Sequence, residues 1–180
     1  MEFREVINKR RSIRNFKEND ISLDIILNIV NSACLAPSAH NKQPWHYFIL
    51  KGKKKEELVL LIDDYITNNN DLTMYEKIMK KNIIFIKQAP VIILCYIDVE
   101  NCKPLDLLSV GSSIDHLILA AENLNIGTLW NGVIVEFENL INEKFDIQNK
   151  KLVSAIILGY KNEYPEKRPR KKMEEVVTIL

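Results

Sequence analysis

All six arginines of this 180-residue chain stand near its ends, Arg4, Arg10, Arg11 and Arg14 in the first stretch and Arg168 and Arg170 in the last. Lysine supplies the positive charge everywhere else. A guanidinium is a planar fork that holds phosphate or carboxylate through paired hydrogen bonds, whereas an ammonium is a point charge. Arginine kept for a few clustered positions therefore predicts a bound anion, a phosphate first. Residues 1–14 carry a net charge of +3 and residues 161–173 one of +4, although the whole chain carries only +1. The string Arg10-Arg11-Ser12-Ile13-Arg14-Asn15-Phe16 offers three guanidinium groups, a hydroxyl and several backbone donors in one short stretch. Taken alone, such a run is more simply a solvated basic face.

Two further strings carry polar chemistry. In Ala36-Pro37-Ser38-Ala39-His40-Asn41-Lys42-Gln43-Pro44-Trp45, two prolines stiffen a loop whose Ser, Asn and Gln groups suit the amide edge of a planar heterocycle. In the last, Gly159-Tyr160 is followed by Pro165, Arg168-Pro169-Arg170 and Glu174-Glu175-Val176-Val177. Alone, the first of these is an ordinary loop between a helix and a strand, and the second a frayed basic tail. Other chemistries find no pattern. His40, His46 and His116 lack metal-ligand spacing, no serine lies in G-x-S-x-G, and no G-x-G-x-x-G occurs among only five glycines. Zinc, serine-hydrolase and Rossmann dinucleotide sites are not expected.

The elements that must position these strings follow from hydrophobic periodicity. Phe3, Val6, Ile7 and Arg10 fall at helical spacing, so a short first helix should deliver Arg10 from its apolar face. Ser22 or Asp24 can cap a second helix, with Ile25, Ile26, Ile29, Val30 and Ala33 as its core stripe, stopping before Pro37. Trp45–Leu50 reads as a strand stopped by Gly52, and Lys53–Tyr65 and Leu72–Ile84 read as helices around an asparagine loop. Val91–Ile97 is a short apolar, β-branched run, the pattern of a strand covered on both faces. Pro104–Asn125 should be the longest helix, with Leu108, Ile114, Leu117, Ile118 and Ala121 buried and Gly127 ending it. Thr128–Val133 and Leu152–Tyr160 read as strands and Glu136–Phe145 as a helix. No repeat or linker appears, so residues 1–180 are expected to form one α+β domain, with 161–180 an extended C-terminal arm.

Composition bounds the remainder. A 47% apolar and 27% charged chain is that of a globular protein, and no apolar run reaches the length of a membrane span. No secretory h-region follows Met1, so a cytoplasmic location is expected. Cys34, Cys95 and Cys102 are scattered and odd in number, and read as small buried hydrophobes. Near-neutral charge without interleaved aromatics argues against nucleic acid as a partner.

In this order and spacing, the three strings resemble the nitroreductase family of FMN-dependent oxidoreductases over nearly the whole chain. The family's R-R-S-h-R-x-F (h is apolar) is matched at Arg10–Phe16, its A-P-S-x-x-N-x-Q-P-W at Ala36–Trp45, and its G-Y with a basic R-P-R-K-x-x-E-E-V-V tail at Gly159–Val177. Leu117–Ala121 and Gly127–Trp130 resemble the family's L-h-L-A-A helix and the G-x-x-W strand after it. The resemblance implies an α+β sandwich with a central mixed, mostly antiparallel sheet flanked by helices, in an intertwined homodimer with FMN at the interface. Arg10, Arg11, Ser12 and Arg14, with Arg170 and more weakly Arg168, would then hold the FMN phosphate and ribityl chain. Pro37, Ser38 and Asn41 would line the ring, Gln43 would join them or brace the loop, Asn131 and Gly132 would lie near its reactive edge, and Lys42 is a weaker candidate.

The flavin would carry the hydride chemistry, so no catalytic side chain and no metal is expected. The implied activity is NAD(P)H-dependent reduction of nitroaromatics, quinones or similar small electron-poor acceptors by a ping-pong cycle, with NADH or NADPH as reductant. A flavin-binding redox sensor or FMN reservoir without turnover is the alternative. The chain departs from the family before Leu117, where Ser109, Ser112, Ser113 and Asp115-His116 stand in place of an acid, small residues and a Gln-Asn pair. Tyr65, Met74, Tyr75 and Phe85 are candidates for the substrate face, with ordinary packing the simpler reading of each.

Overall fold

The structure, a computed structural model, describes the backbone of residues 1–180 and every side chain but that of Asn101. Six helices, α1 (Phe3–Lys9), α2 (Leu23–Cys34), α3 (Lys53–Asn68), α4 (Met74–Gln88), α5 (Pro104–Asn123) and α6 (Glu138–Phe145), surround four strands, β1 (Trp45–Lys51), β2 (Val91–Asp98), β3 (Ile126–Asn131) and β4 (Lys150–Tyr160). The strand order is β1-β2-β4-β3 and every pairing is antiparallel. The parallel element of the sheet is a single bridge from Ser12 to Thr128.

Alternation along the strands divides the core in two. Ile92, Leu94 and Tyr96 of β2 and Leu152, Ala155 and Ile157 of β4 point to one face, where Leu58, Ile62, Met79, Ile83 and Ile141 of α3, α4 and α6 cover them. Val91, Ile93, Cys95, Ile97, Ile156 and Leu158 point to the other, under Ile26, Ile29 and Ala33 of α2 and Val110, Ile114, Leu117 and Ala121 of α5. A strand buried on both faces needs the continuous apolar run that β2 shows. The Ser113 hydroxyl donates to the Ala33 carbonyl at 2.6 Å and meets the Tyr47 hydroxyl at 2.6 Å, so one buried serine ties α5 to α2 and β1.

Several sequence expectations are corrected. The turn after α5 is made by Asn125, at φ 60°, and Gly127 lies inside β3. Val133 leads a 3-10 turn, Val133–Phe137, so β3 starts and stops two residues earlier than its pattern suggested. Leu108 is 70% exposed, and Val110 fills the core position. Of the three cysteines only Cys95 is buried, while Cys34 is exposed at the end of α2. Phe3 and Ile7 are exposed, leaving Val6 as the buried anchor of α1.

The N-terminal arginine string is seated on the sheet by two glycines. Gly127 and Gly159 face each other in the β3–β4 register. A Cβ on Gly127 would stand 3.0 Å from Ile13 and one on Gly159 2.7 Å from Phe16, so their hydrogens leave the hollow into which those two buried side chains drop. Gly159→Ala should therefore lower stability by about 1–3 kcal/mol, as overpacking does. Equal unfolding midpoints for variant and wild type in urea would refute this seating.

At the other end of the sheet, Asp98 accepts from Lys150 Nζ at 2.7 Å and pairs with His46 Nε2 at 3.0 Å, joining the ends of β1, β2 and β4. The Lys150 hydrogen bond first, and then that of His46, hold the Asp98 carboxyl below its ordinary 3.8. A depressed carboxyl stabilises the fold above its ordinary value and loses that contribution as pH falls through the lowered one. The melting temperature of wild type should thus drop more steeply below pH 3.8 than that of Asp98→Asn. Parallel curves for the two proteins would exclude the effect.

Candidate functional site

The arginine string leaves α1 at Arg10, whose backbone N–H still bonds to the Val6 carbonyl at 2.9 Å. It then runs extended beside two strand ends. Ile13 N–H donates to the Thr128 carbonyl at 2.9 Å, Lys17 N–H to that of Tyr160 at 2.8 Å, and Asn162 N–H to that of Asn15 at 3.1 Å. Glu163 completes the seam, its carboxylate accepting from the backbone N–H of Arg14 and, at 3.1 Å, from that of Asn15. Beneath lies a buried ion pair in which Lys161 Nζ donates to Glu122 at 2.6 Å, fixing the end of β4 to the last turn of α5.

Arg10, Arg11, Ser12 and Arg14 from this string and Arg168 and Arg170 from the C-terminal segment line one cavity of about 640 Å³. Phe3, Ile7 and Leu119 give it an apolar side, and Asp115 and Glu166 are its acidic members. Two distant ends of the chain thus converge on one cavity. Arg11 stands apart from the other cations. Its Nη1 donates to the Asn8 carbonyl at 2.7 Å and to the Arg10 carbonyl at 2.8 Å, so the guanidinium closes the C-terminal end of α1. Its Nε is buried and has no partner among the described residues.

Pro37, Ser38, Asn41 and Gln43 occupy a separate loop between α2 and β1, outside the arginine cavity. His40, Asn41 and Gln43 all adopt left-handed backbone conformations, with φ of 53°, 53° and 49°. The loop closes on itself: Gln43 N–H donates to Ser38 Oγ at 3.0 Å, and the Gln43 side-chain amide donates to Asn41 Oδ1 at 3.1 Å. Gln43 is a brace here. Its contact leaves the Asn41 NH₂ group as the free end of that side chain.

Asn131 ends β3 and Gly132 follows it, both outside the cavity. The Asn131 side chain is buried and accepts from Val133 N–H at 3.1 Å, so it shapes the turn into the 3-10 segment. Gly132 is exposed just beyond it. Tyr65 packs edge-on against Phe137 at 5.6 Å, while Met74 and Tyr75 are exposed on α4.

Sequence reasoning missed Glu163, Lys161 and Glu122. Glu163 left one usable trace, as one of two acids, with Glu166, inside a basic segment. The Lys161–Glu122 pair spans 39 residues and left none.

Comparison with known proteins agrees with this architecture. The profile described as "Nitroreductase family" matches residues 7–160. YfhC of Bacillus subtilis strain 168, provisionally named an NAD(P)H nitroreductase, is 24% identical over 98% of this chain and 93% of its own length. An iodotyrosine deiodinase of Thermotoga neapolitana is 24% identical over 94% of each chain. The crystal structure of the FMN-dependent nitroreductase NfnB from Mycobacterium smegmatis, in complex with NADPH, superposes with a TM-score of 0.83 at 16% identity, covering 98% of this chain and 97% of that one. With the family profile spanning both the arginine string and the end of β4, the chain belongs to the nitroreductase family.

Proposed function

We propose that this protein is an FMN-dependent oxidoreductase that uses NADH or NADPH to reduce small electron-poor acceptors such as nitroaromatics and quinones. The observation that carries the reading is the convergence of arginines from both ends of the chain on one cavity with a serine hydroxyl and an apolar side. That donor set fits a phosphate with a polyol and a ring attached: forked cations for the phosphate, a hydroxyl for the chain, carbon surface beyond. Arg10, Arg14, Arg168 and Arg170 would bind the phosphate, and Ser12 the atoms next to it. Arg11 supports them by closing α1 rather than by direct contact. Pro37, Ser38 and the free Asn41 amide would meet the ring from the other loop, with Asn131 and Gly132 shaping the strand end near its reactive edge.

When bound, FMN would supply the two-electron chemistry, taking hydride from NAD(P)H and passing it to the acceptor in alternate half-reactions of a ping-pong cycle. The chain's own work would be to bind, orient and charge-stabilise, and the reaction would call for no general base. We infer a homodimer as well. Leu105 and Leu108 on α5 and Val176, Val177, Ile179 and Leu180 in the arm are exposed, and apolar side chains in such numbers are ordinarily covered by a partner. The three free cysteines suit a reducing cytoplasm.

The purified protein should be yellow, bleach with NADH or NADPH without air, and regain colour with a quinone or nitroarene. A protein that cannot be loaded with FMN would overturn the reading, and one that stays yellow under both reductants would instead be a non-turnover flavin carrier. An iodinated phenol in place of the nitroarene tests whether the acceptor range extends towards that of the Thermotoga relative. Arg10→Ala or Arg14→Ala should each weaken FMN binding about 10- to 100-fold, the worth of about one charge-assisted hydrogen bond, with little change in melting temperature. Arg11→Ala should do the reverse, lowering the melting temperature more than the affinity. Removing residues 165–180 keeps Lys161 and Glu163 in place, and should weaken both the dimer and flavin retention. Unchanged mass and flavin content in that variant would remove the arm from both roles.

A further inference from the structure

The loop carrying Ser38, Asn41 and Gln43 is held in an unfavourable backbone conformation, with three left-handed residues, none of them glycine. Such a loop persists only where its surroundings over-determine it. Its internal hydrogen bonds close it but do not fix it to the body of the protein. Two side-chain contacts do that, and both come from neighbouring turns of α5. Ser109 Oγ accepts from Ala39 N–H at 3.1 Å, and Asp106 Oδ1 accepts from Lys42 Nζ at 3.4 Å. Positions 106 and 109 are three apart and share a helix face.

Asp106 is the unusual member. It is 1% exposed, its Oδ2 is buried without a partner among the described residues, and Lys42 is its only ion-pair partner among them. A desolvated carboxylate with one oxygen unpaired is destabilising by itself. It lies in the first turn of α5, where the helix dipole lessens that penalty without supplying the missing donor. Among the described residues nothing in the packing of α5 uses the charge, and the one group that does is the ammonium of Lys42, a residue that stands between Asn41 and Gln43.

We propose that Asp106 is a positioning residue for the cofactor site, acting through Lys42 to hold residues 38–43 in the conformation that presents Ser38 and the Asn41 amide. The inference rests on the reading of this loop as the one that meets the flavin ring. Asp106 touches no substrate or cofactor. Its charge anchors a cation whose backbone belongs to the strained segment, and the Ser109 contact fixes the other side of the same turn.

Amide hydrogen exchange and FMN titration on Asp106→Asn and Lys42→Met test this. Asparagine keeps the shape of the buried side chain and removes its charge; Lys42→Met alters an exposed residue and serves if Asp106→Asn does not fold. In flavin-free protein, the amides of Asn41, Lys42 and Gln43 should exchange about tenfold faster in either variant, with those of β2 and β4 unchanged. The FMN dissociation constant should rise by about the same factor, the double variant should be no worse than either single one, and Lys42→Arg should restore affinity. Unchanged exchange at residues 41–43, faster exchange with unaltered FMN affinity, or additive effects in the double variant would each overturn the proposal. A wild type that binds FMN beside an Asp106→Asn that binds it equally well removes this inference alone. A wild type that takes up no FMN removes the functional reading and this inference with it.

Discussion

The arginine-lined cavity depends on a seam of backbone hydrogen bonds between residues far apart in the chain. Residues 13–17 have no regular partner of their own, yet Thr128, Tyr160 and Asn162 supply the missing donors and acceptors, and Glu163 takes two N–H groups that would otherwise face solvent. An extended segment with unpaired backbone is neither rigid nor cheap to desolvate. Laid against the sheet, it becomes both ordered and directional. The glycine pair is what permits this approach, because Ile13 and Phe16 fill the space that side chains at 127 and 159 would occupy. The position of Arg10 and Arg14 is therefore a property of β3 and β4 as much as of the string in which they stand.

Electrostatics adds a second layer. Several like charges around one cavity repel one another, and a fold that assembles them stores that repulsion until an anion relieves it. The protein limits it in three ways. Arg11 is turned onto carbonyls of α1, Glu163 lies against the backbone of Arg14, and Asp115 and Glu166 stand among the cavity's own lining. Lys161, which could have added another positive charge, is neutralised by Glu122 below the surface. The arrangement leaves forked donors where they are useful and cancels charge where it is not.

Much of this was legible from residues alone, and the failures are instructive. The apolar run of β2 announced a strand covered on both faces, and Ser22 was a correct cap, its hydroxyl accepting from Ile25 N–H. Gly127 was misread because a glycine after a helical pattern commonly marks the helix end. Asn125 tolerates the same left-handed conformation, which freed Gly127 for a packing role that no local pattern reveals. For Arg11, which stands in the same string as Arg10 and Arg14, sequence records the charge but not that the side chain turns back onto the carbonyls of Asn8 and Arg10. Leu108 satisfied the helical period yet faces outward, since a period gives the spacing of a stripe and not which elements are present to cover it. Asp106 was invisible for a similar reason: an acid in the first turn of a helix is the ordinary expectation at the surface, and only the packing of the loop over it makes it unusual.

The joining of the two chain ends also has a meaning in time. During synthesis the arginine string emerges well before its partners, because more than a hundred residues must be made before Thr128, Tyr160 and Glu163 all exist to receive it. Contacts of such long sequence separation form late and slowly. Until then the N-terminal segment carries its guanidinium groups in the open, with no geometry to favour one anion over another. Selectivity for a ligand at this site is therefore acquired at the end of folding, by a chain that has already built its sheet.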